Sequence, residues 1–163
     1  MVQQLESPSQ VVAIISKPKR IEWEGQVLNS GRIESASIVG GNLSLLQWSL
    51  GTPFEANWEG KILMIEEIAE DCYKVDRMLQ HLKSSGVFKK ISGLLIGDLD
   101  LKDEDWLSFG YSLDNTILNL VEGRDIPIVK NFPIGHTKTN EGVLIGAKSS
   151  LETGKVSLLV QGD

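Results

Sequence analysis

Three side chains in this 163-residue chain have the types and placement to do acid–base chemistry. Glu66 and Glu67 end the apolar run "KILMIEE" (61–67), and His136 stands in "NFPIGHTKTNEG" (131–142), a loop dense in turn formers. Apolar strands of an open sheet deliver functional side chains at their C-terminal ends, where loops form a crevice. A carboxylate there that faces an imidazole is the orienting half of a triad: it selects the tautomer and stabilises the imidazolium. Residue by residue, two readings stay open. The glutamates also read as solvated residues closing a strand, and a histidine after glycine in a turn also reads as a surface residue. If Glu66 and His136 pair, the strands that deliver them must be close neighbours in the sheet. Strand alternation then sends Glu67 to the opposite side from Glu66.

Other reactive side chains carry less. His81 lies beside the apolar stripe of a helix, between Gln80 and Leu82, and is assigned no role. Two histidines 55 residues apart (136 − 81), with no cysteine or carboxylate at ligand spacing, give no metal signature. Cys72 sits at a helix start, but Glu70 and Asp71 oppose a thiolate there, so it reads as a packing residue. No serine lies in a G-x-S-x-G elbow. Gly40-Gly41-Asn42 resembles a helix-start anion site. The four tryptophans at 23, 48, 58 and 106 form no stacking platform. The residues alone thus stop at an acid–histidine pair without a nucleophile.

The elements that must position this pair follow from periodicity. Residues 1–10 are polar and contain Pro8, which reads as a tail or interdomain linker, and 11–163 as one domain. "VVAIIS" (11–16) reads as a buried strand, and "IEWEGQVLNSGRIESASIVGG" as strand, turn, strand. Asn42 is placed to cap a short helix with Leu43, Leu46 and Leu50 at helical spacing, stopped by Gly51 and Pro53. "DCYKVDRMLQHLKSSG" is the clearest helix: Asp71 as cap, Val75, Met78, Leu79 and Leu82 as one stripe, Gly86 as stop. "ISGLLIGDLD" is a second apolar strand ending in acids, and "SLDNTILNLVEGR" a third helix with Leu113, Ile117, Leu120 and Val121 inward. "IPIVKNF" runs into the histidine loop, and the chain closes as a hairpin around Glu152–Gly154. Strands alternating with helices in the middle, flanked by strand pairs, argue a mixed sheet with helices on one face.

Composition excludes several classes. Hydrophobic content of 41% and charged content of 23% are ordinary for a globular domain. A net charge of −6 argues against nucleic acid or an anionic membrane as partner. No apolar run approaches the ~20 residues of a membrane span, and MVQQLESPSQ does not read as a signal peptide. A single cysteine permits no internal disulfide and fits a reducing, cytoplasmic setting.

Six segments occur together in an order and spacing that resemble a known family: "IEWEG", "GGNLSLL…GTP", "GKILMIEE", "YKVDRMLQHL", "GLLIGD" and "PIGH". They are similar to the C-terminal half of the LD-carboxypeptidases, the muramoyltetrapeptide carboxypeptidases. This serine peptidase family also includes the microcin C self-immunity proteins. The resemblance covers roughly residues 11 to 160 and departs at "VLIG" (143–146), where the family tends to carry a proline. It implies a compact α/β domain of β/β/α layering with a mixed sheet and about three helices, those named above. It implies a Ser-His-Glu triad in which Glu66 and His136, 70 residues apart (136 − 66), are the orienting acid and the general base. The family's nucleophile lies in an N-terminal domain with no counterpart here, so the chain alone is expected to be inactive. The implied activity is removal of the terminal D-alanine of a murein tetrapeptide in cell-wall recycling, with no metal or organic cofactor. The partners implied are murein peptide, the absent nucleophile domain and, in a homodimer, a second copy of the chain. The alternatives are hydrolysis of an aminoacyl nucleotide, as in microcin C immunity, and a non-catalytic stand-alone binding module.

Overall fold

The computed structural model describes residues 19–101, 112–136, 140–154 and 157–160. The expected strand at 11–16, the tail at 1–10 and Trp106 lie outside the described residues. Among the described residues eight strands form one mixed sheet with four helices: β1 (Lys19–Glu22), β2 (Gln26–Asn29), β3 (Arg32–Asn42), α1 (Leu43–Ser49), β4 (Ile62–Glu70), α2 (Cys72–Ser84), α3 (Val87–Lys90), β5 (Gly93–Leu101), α4 (Leu113–Leu120), β6 (Ile128–Lys130), β7 (Lys148–Glu152) and β8 (Ser157–Val160). The spatial order is β1-β8-β7-β3-β4-β5-β6-β2.

The central strands β3, β4, β5 and β6 are parallel, and α1, α2 and α4 lie on the crossovers between them. β4 and β5 read as unbroken apolar runs because both of their faces are covered. Leu63 and Ile65 of β4, with Leu94 and Ile96 of β5, pack on one face against Val75, Leu79 and Leu82 of α2 and Ile117 of α4. The alternate residues Ile62, Met64 and Leu95 face the other way, onto Ile21, Leu151 and Leu158 of the outer strands. That second layer exists because β3 changes partner along its length. Its first half pairs antiparallel with β7 through Arg32–Ser37, and its second half parallel with β4 through Ile38–Asn42. The β/β/α layering follows.

Among the described residues the expected elements hold with two differences. The segment from Arg20 to Gly41 forms three strands, and β1 and β2 pair with β8 and β6, on opposite edges of the sheet. A fourth helix, the single turn α3, follows Gly86, whose left-handed backbone (φ 80°) ends α2 and starts α3. Four residues are too few for a periodic signal, so the sequence could not mark it.

Candidate active site

β3 and β4 approach so closely at their C-terminal ends that Gly40 cannot carry a side chain. A Cβ there would lie 1.8 Å from the Met64 carbonyl oxygen. Asn42 pairs in register with Glu66 across this contact. Asn42 then caps α1, its Oδ1 accepting from the Leu45 amide at 3.3 Å.

Glu67 projects to the helix side and is 3% exposed. Its Oε1 accepts from Asn42 Nδ2 at 2.8 Å and from the Ile68 amide at 3.0 Å. Its Oε2 accepts from the Ser44 amide at 2.8 Å and the Ser44 hydroxyl at 2.6 Å. Burial acts to raise this carboxyl, but the bonds from Ser44, Asn42 and the Ile68 amide outweigh it and hold it below the ordinary glutamate value. The anion at the Gly40-Gly41-Asn42 turn is therefore the protein's own: Glu67 fills the start of α1.

Glu66, one residue earlier, lies on the opposite side of the strand. Two residues of β5, Gly97 and Asp98, oppose it alone between the paired Ile65–Ile96 and Glu67–Leu99, a bulge that re-aims both carboxylates. Glu66 Oε2 lies 3.8 Å from His136 Nδ1, with the carboxylate side chain 16% exposed and the ring 57% exposed. This is ion-pair distance and longer than a hydrogen bond. Oε2 is buried and has no hydrogen-bond partner among the described residues. Burial pushes the Glu66 carboxyl above its ordinary value. The Asn42 amide and the His136 ring offset part of that, while the charges of Glu67 and Asp98 add to it.

β4 and β6 are not neighbours, as direct delivery of the pair would need; β5 lies between them. His136 reaches Glu66 because its loop crosses the end of β5 and continues the ladder beyond β6. The Phe132 amide donates to the Ile96 carbonyl, and the Asp98 amide to the Ile134 carbonyl, both at 3.0 Å. Two glycines permit the crossing. A Cβ on Gly97 would stand 2.4 Å from Ile134 Cγ1, and one on Gly135 would stand 2.9 Å from Asp98 Cβ and 3.4 Å from Glu66 Oε2. Gly135 also has φ 106°, a backbone that other residues rarely adopt. Gly135→Ala is expected to destabilise the domain by about 1–3 kcal/mol and to widen the Glu66–His136 gap. Thermal melts and the position of the His136 ring resonance check both.

Asp98, recognised in the sequence only as an acid at a strand end, thus sits against the histidine loop. Burial and the Asp100 charge push its carboxyl up, and His136 partly offsets them. The signal that could have found it is the pattern β5 shares with β4: an apolar run of a parallel strand that ends in an acid, Ile65-Glu66 in one and Ile96-Gly97-Asp98 in the other. His81 takes the expected surface position, its Nδ1 2.7 Å from Gln47 Nε2, and Cys72, the first residue of α2, is buried in the core. Among the described residues no serine or cysteine is hydrogen-bonded to the His136 ring. The arrangement can hold and move a proton at an exposed imidazole, with an oriented carboxylate behind it.

Residues 35–151 match the family model for the LD-carboxypeptidase C-terminal domain, and the chain belongs to that family. A Bacillus subtilis (strain 168) protein named as a probable murein peptide carboxypeptidase is 40% identical over 128 residues, which are 76% of this chain and 39% of that protein. The Microcin C7 self-immunity protein MccF of Escherichia coli is 26% identical over 140 residues, 85% of this chain and 40% of its own length. The crystal structure of a muramoyltetrapeptide carboxypeptidase from Oxalobacter formigenes superposes with a TM-score of 0.79 at 30% identity, covering 93% of this chain and 53% of that one. The chain thus spans about two-fifths of the length of these curated relatives.

Proposed function

We propose that this domain supplies the acid–base half of a serine carboxypeptidase site that removes the terminal D-alanine of a murein tetrapeptide. The observation that carries the reading is the Glu66–His136 pair at 3.8 Å, with the carboxylate buried and the ring exposed at the C-terminal rim of the sheet. The serine comes from a second domain, in the part of the family's length this chain does not span. Its oxygen attacks the scissile carbonyl while His136 takes the hydroxyl proton. The tetrahedral intermediate collapses as His136 returns that proton to the leaving D-alanine amine. A water, deprotonated by the same imidazole, then hydrolyses the acyl-enzyme. Glu66 holds the other ring nitrogen throughout. No step requires a cofactor.

The exposed Leu45 and Trp48 of α1, with Phe54 just after it, form an apolar face on the helix that Asn42 caps beside Glu66. That placement supports docking of the serine-bearing domain there, with a second copy of the chain as the alternative occupant. A peptide-recycling role fits the cytoplasm, and among the described residues no helix is long and apolar enough to cross a membrane.

The chain alone is expected to release no D-alanine from murein tetrapeptide. Adding the serine-bearing domain, fused or in trans, restores release, and sedimentation of the mixture separates a one-to-one complex from a homodimer. Robust turnover by the pure chain that disappears in His136→Ala would sink the reading of a nucleophile supplied from elsewhere. Likeness to MccF favours a second substrate class, so an aminoacyl sulfamoyl nucleoside, as an analogue of an aminoacyl nucleotide, belongs in the assay. Preference for it over the tetrapeptide assigns the immunity-type reaction, and activity on neither assigns a binding module.

A further inference from the structure

Asp98 is the acid beside the site that the Glu66–His136 pair does not use. It stands in the β5 bulge opposite Glu66, and its amide donates to the Ile134 carbonyl at 3.0 Å, two residues before the histidine. The turn that carries the ring is clasped by both acids. A Cβ built on Gly135 would lie 2.9 Å from Asp98 Cβ and 3.4 Å from Glu66 Cβ, so the glycine backbone rests against the side chains of two neighbouring strands. The loop has little freedom to leave this clasp. The Phe132 amide is bonded to Ile96, the Glu141 amide donates to the Pro133 carbonyl at 2.7 Å, and Trp23 backs the Phe132 ring edge-on.

The charges around the ring follow from that placement. β4 brings Glu66, and β5 brings Asp98 with Asp100 two residues further on. Glu67 lies on the other side of β4, saturated by its four donors. Lys130 of β6 is paired with Asp114, Glu24 after β1 is exposed, and the loop itself brings Glu141. Among the described residues the Asp98 carboxylate has no hydrogen-bonded or ion-paired partner, so it acts on the ring through space. Burial and Asp100 push the Asp98 carboxyl up, and His136 pulls it down. Such coupling is reciprocal: an imidazolium that favours the carboxylate is favoured by it to the same degree. Asp98 also opposes ionisation of Glu66, but it is the smallest of the causes acting there, and burial is the largest.

We infer that Asp98 is a positioning residue for the general base: its charge, delivered by the strand next to that of Glu66, favours the imidazolium formed when His136 takes the serine proton. This rests on the reading of Glu66 and His136 as the catalytic pair. Two acids then serve one imidazole. Glu66 sets its tautomer and orientation, and Asp98 adds field without contact.

The first arm of the test needs no catalysis. The ring resonances of His136 are followed against pH in the isotopically labelled chain, assigned by their loss in His136→Gln, with His81 on the helix layer as internal control. Asp98→Asn keeps the shape and removes the charge. It is expected to move the His136 titration to lower pH by about 0.3–1 unit and to leave His81 in place. A His136 titration that stays put or moves upward would overturn the inference. If Asp98→Asn does not fold, the Asp98 carboxyl carbon of the unmodified chain decides. It is expected to show a second inflection where His136 titrates, absent in His136→Gln, and a single inflection counts against the coupling. The second arm uses the enzyme completed by its serine-bearing domain. There Asp98→Asn is expected to move the acid limb of kcat/KM to lower pH, while the plateau above it falls about two- to fivefold. A merely displaced loop would lower the plateau without moving the limb, and that result also overturns the inference. A shifted His136 titration alongside absent D-alanine release would remove the catalytic reading and leave the coupling. Release with an unmoved titration would do the reverse.

Discussion

Glu66→Gln, made in the enzyme completed by its serine-bearing domain, is expected to lower kcat by about 10³- to 10⁴-fold with little change in KM. That is about 4–5.5 kcal/mol of lost transition-state stabilisation. The substitution preserves shape but removes the negative charge that steadies the imidazolium, and its amide can present a donor to the ring where an acceptor is required. The same change is expected to raise the melting temperature of the chain by a few degrees. Folding buries this carboxylate against Glu67 and Asp98 and holds its pKa above the ordinary value. The stability linked to that shift is complete where the carboxyl is protonated and is lost as pH rises through the raised folded value. A neutral glutamine escapes that loss at neutral pH. An enzyme that keeps a costly carboxylate here trades stability for function. Steady-state kinetics and melts at neutral pH check the two halves, and full activity in Glu66→Gln would remove the residue from the triad.

Glu67→Gln, one position along, is expected to act with the opposite sign. It should destabilise the domain by about 2–4 kcal/mol, or roughly 5–10 °C. Four donors converge on the Glu67 carboxylate: Asn42 Nδ2, the Ile68 amide, and the Ser44 amide and hydroxyl. A glutamine offers one acceptor oxygen and places an NH₂ against donors on the other side, in a spot that water does not reach. The pH dependence differs in sign too. The folded pKa of Glu67 is depressed, so its stabilisation is present above the unfolded value of about 4.3 and lost as pH falls through the folded one. Glu67→Gln should flatten the acid limb of the stability curve, whereas Glu66→Gln should flatten the limb on the neutral side. Melts of both variants between about pH 3 and 8 resolve the two. Equal and same-signed shifts would mean that the adjacent glutamates share one environment.

Local patterns in the sequence were enough for the elements that set the frame. The stripe Val75, Met78, Leu79 and Leu82 places α2 on the sheet because helical spacing alone puts those residues on one face. Asn42 caps α1 because a short side-chain oxygen before a helix start satisfies a free amide. Alternation along β4 is enough to separate Glu66 from Glu67, since successive strand residues point to opposite faces. The pairing of Glu66 with His136 came from a resemblance spread over six segments rather than from either residue's surroundings.

What those carboxylates do was decided only in three dimensions. Glu67 is a structural anion because β3 and β4 meet without a side chain at Gly40, which brings Asn42 and Ser44 onto it. Asp98 joins the site because β5 lies between the strands that deliver Glu66 and His136 and bulges opposite Glu66. Trp23, on the connection between β1 and β2, packs edge-on against Phe132, more than a hundred residues later in the chain. Periods of two and 3.6 residues are read along one dimension and determine which face a side chain takes. Strand order, bulges and loop crossings bring distant faces together, and no local pattern encodes them.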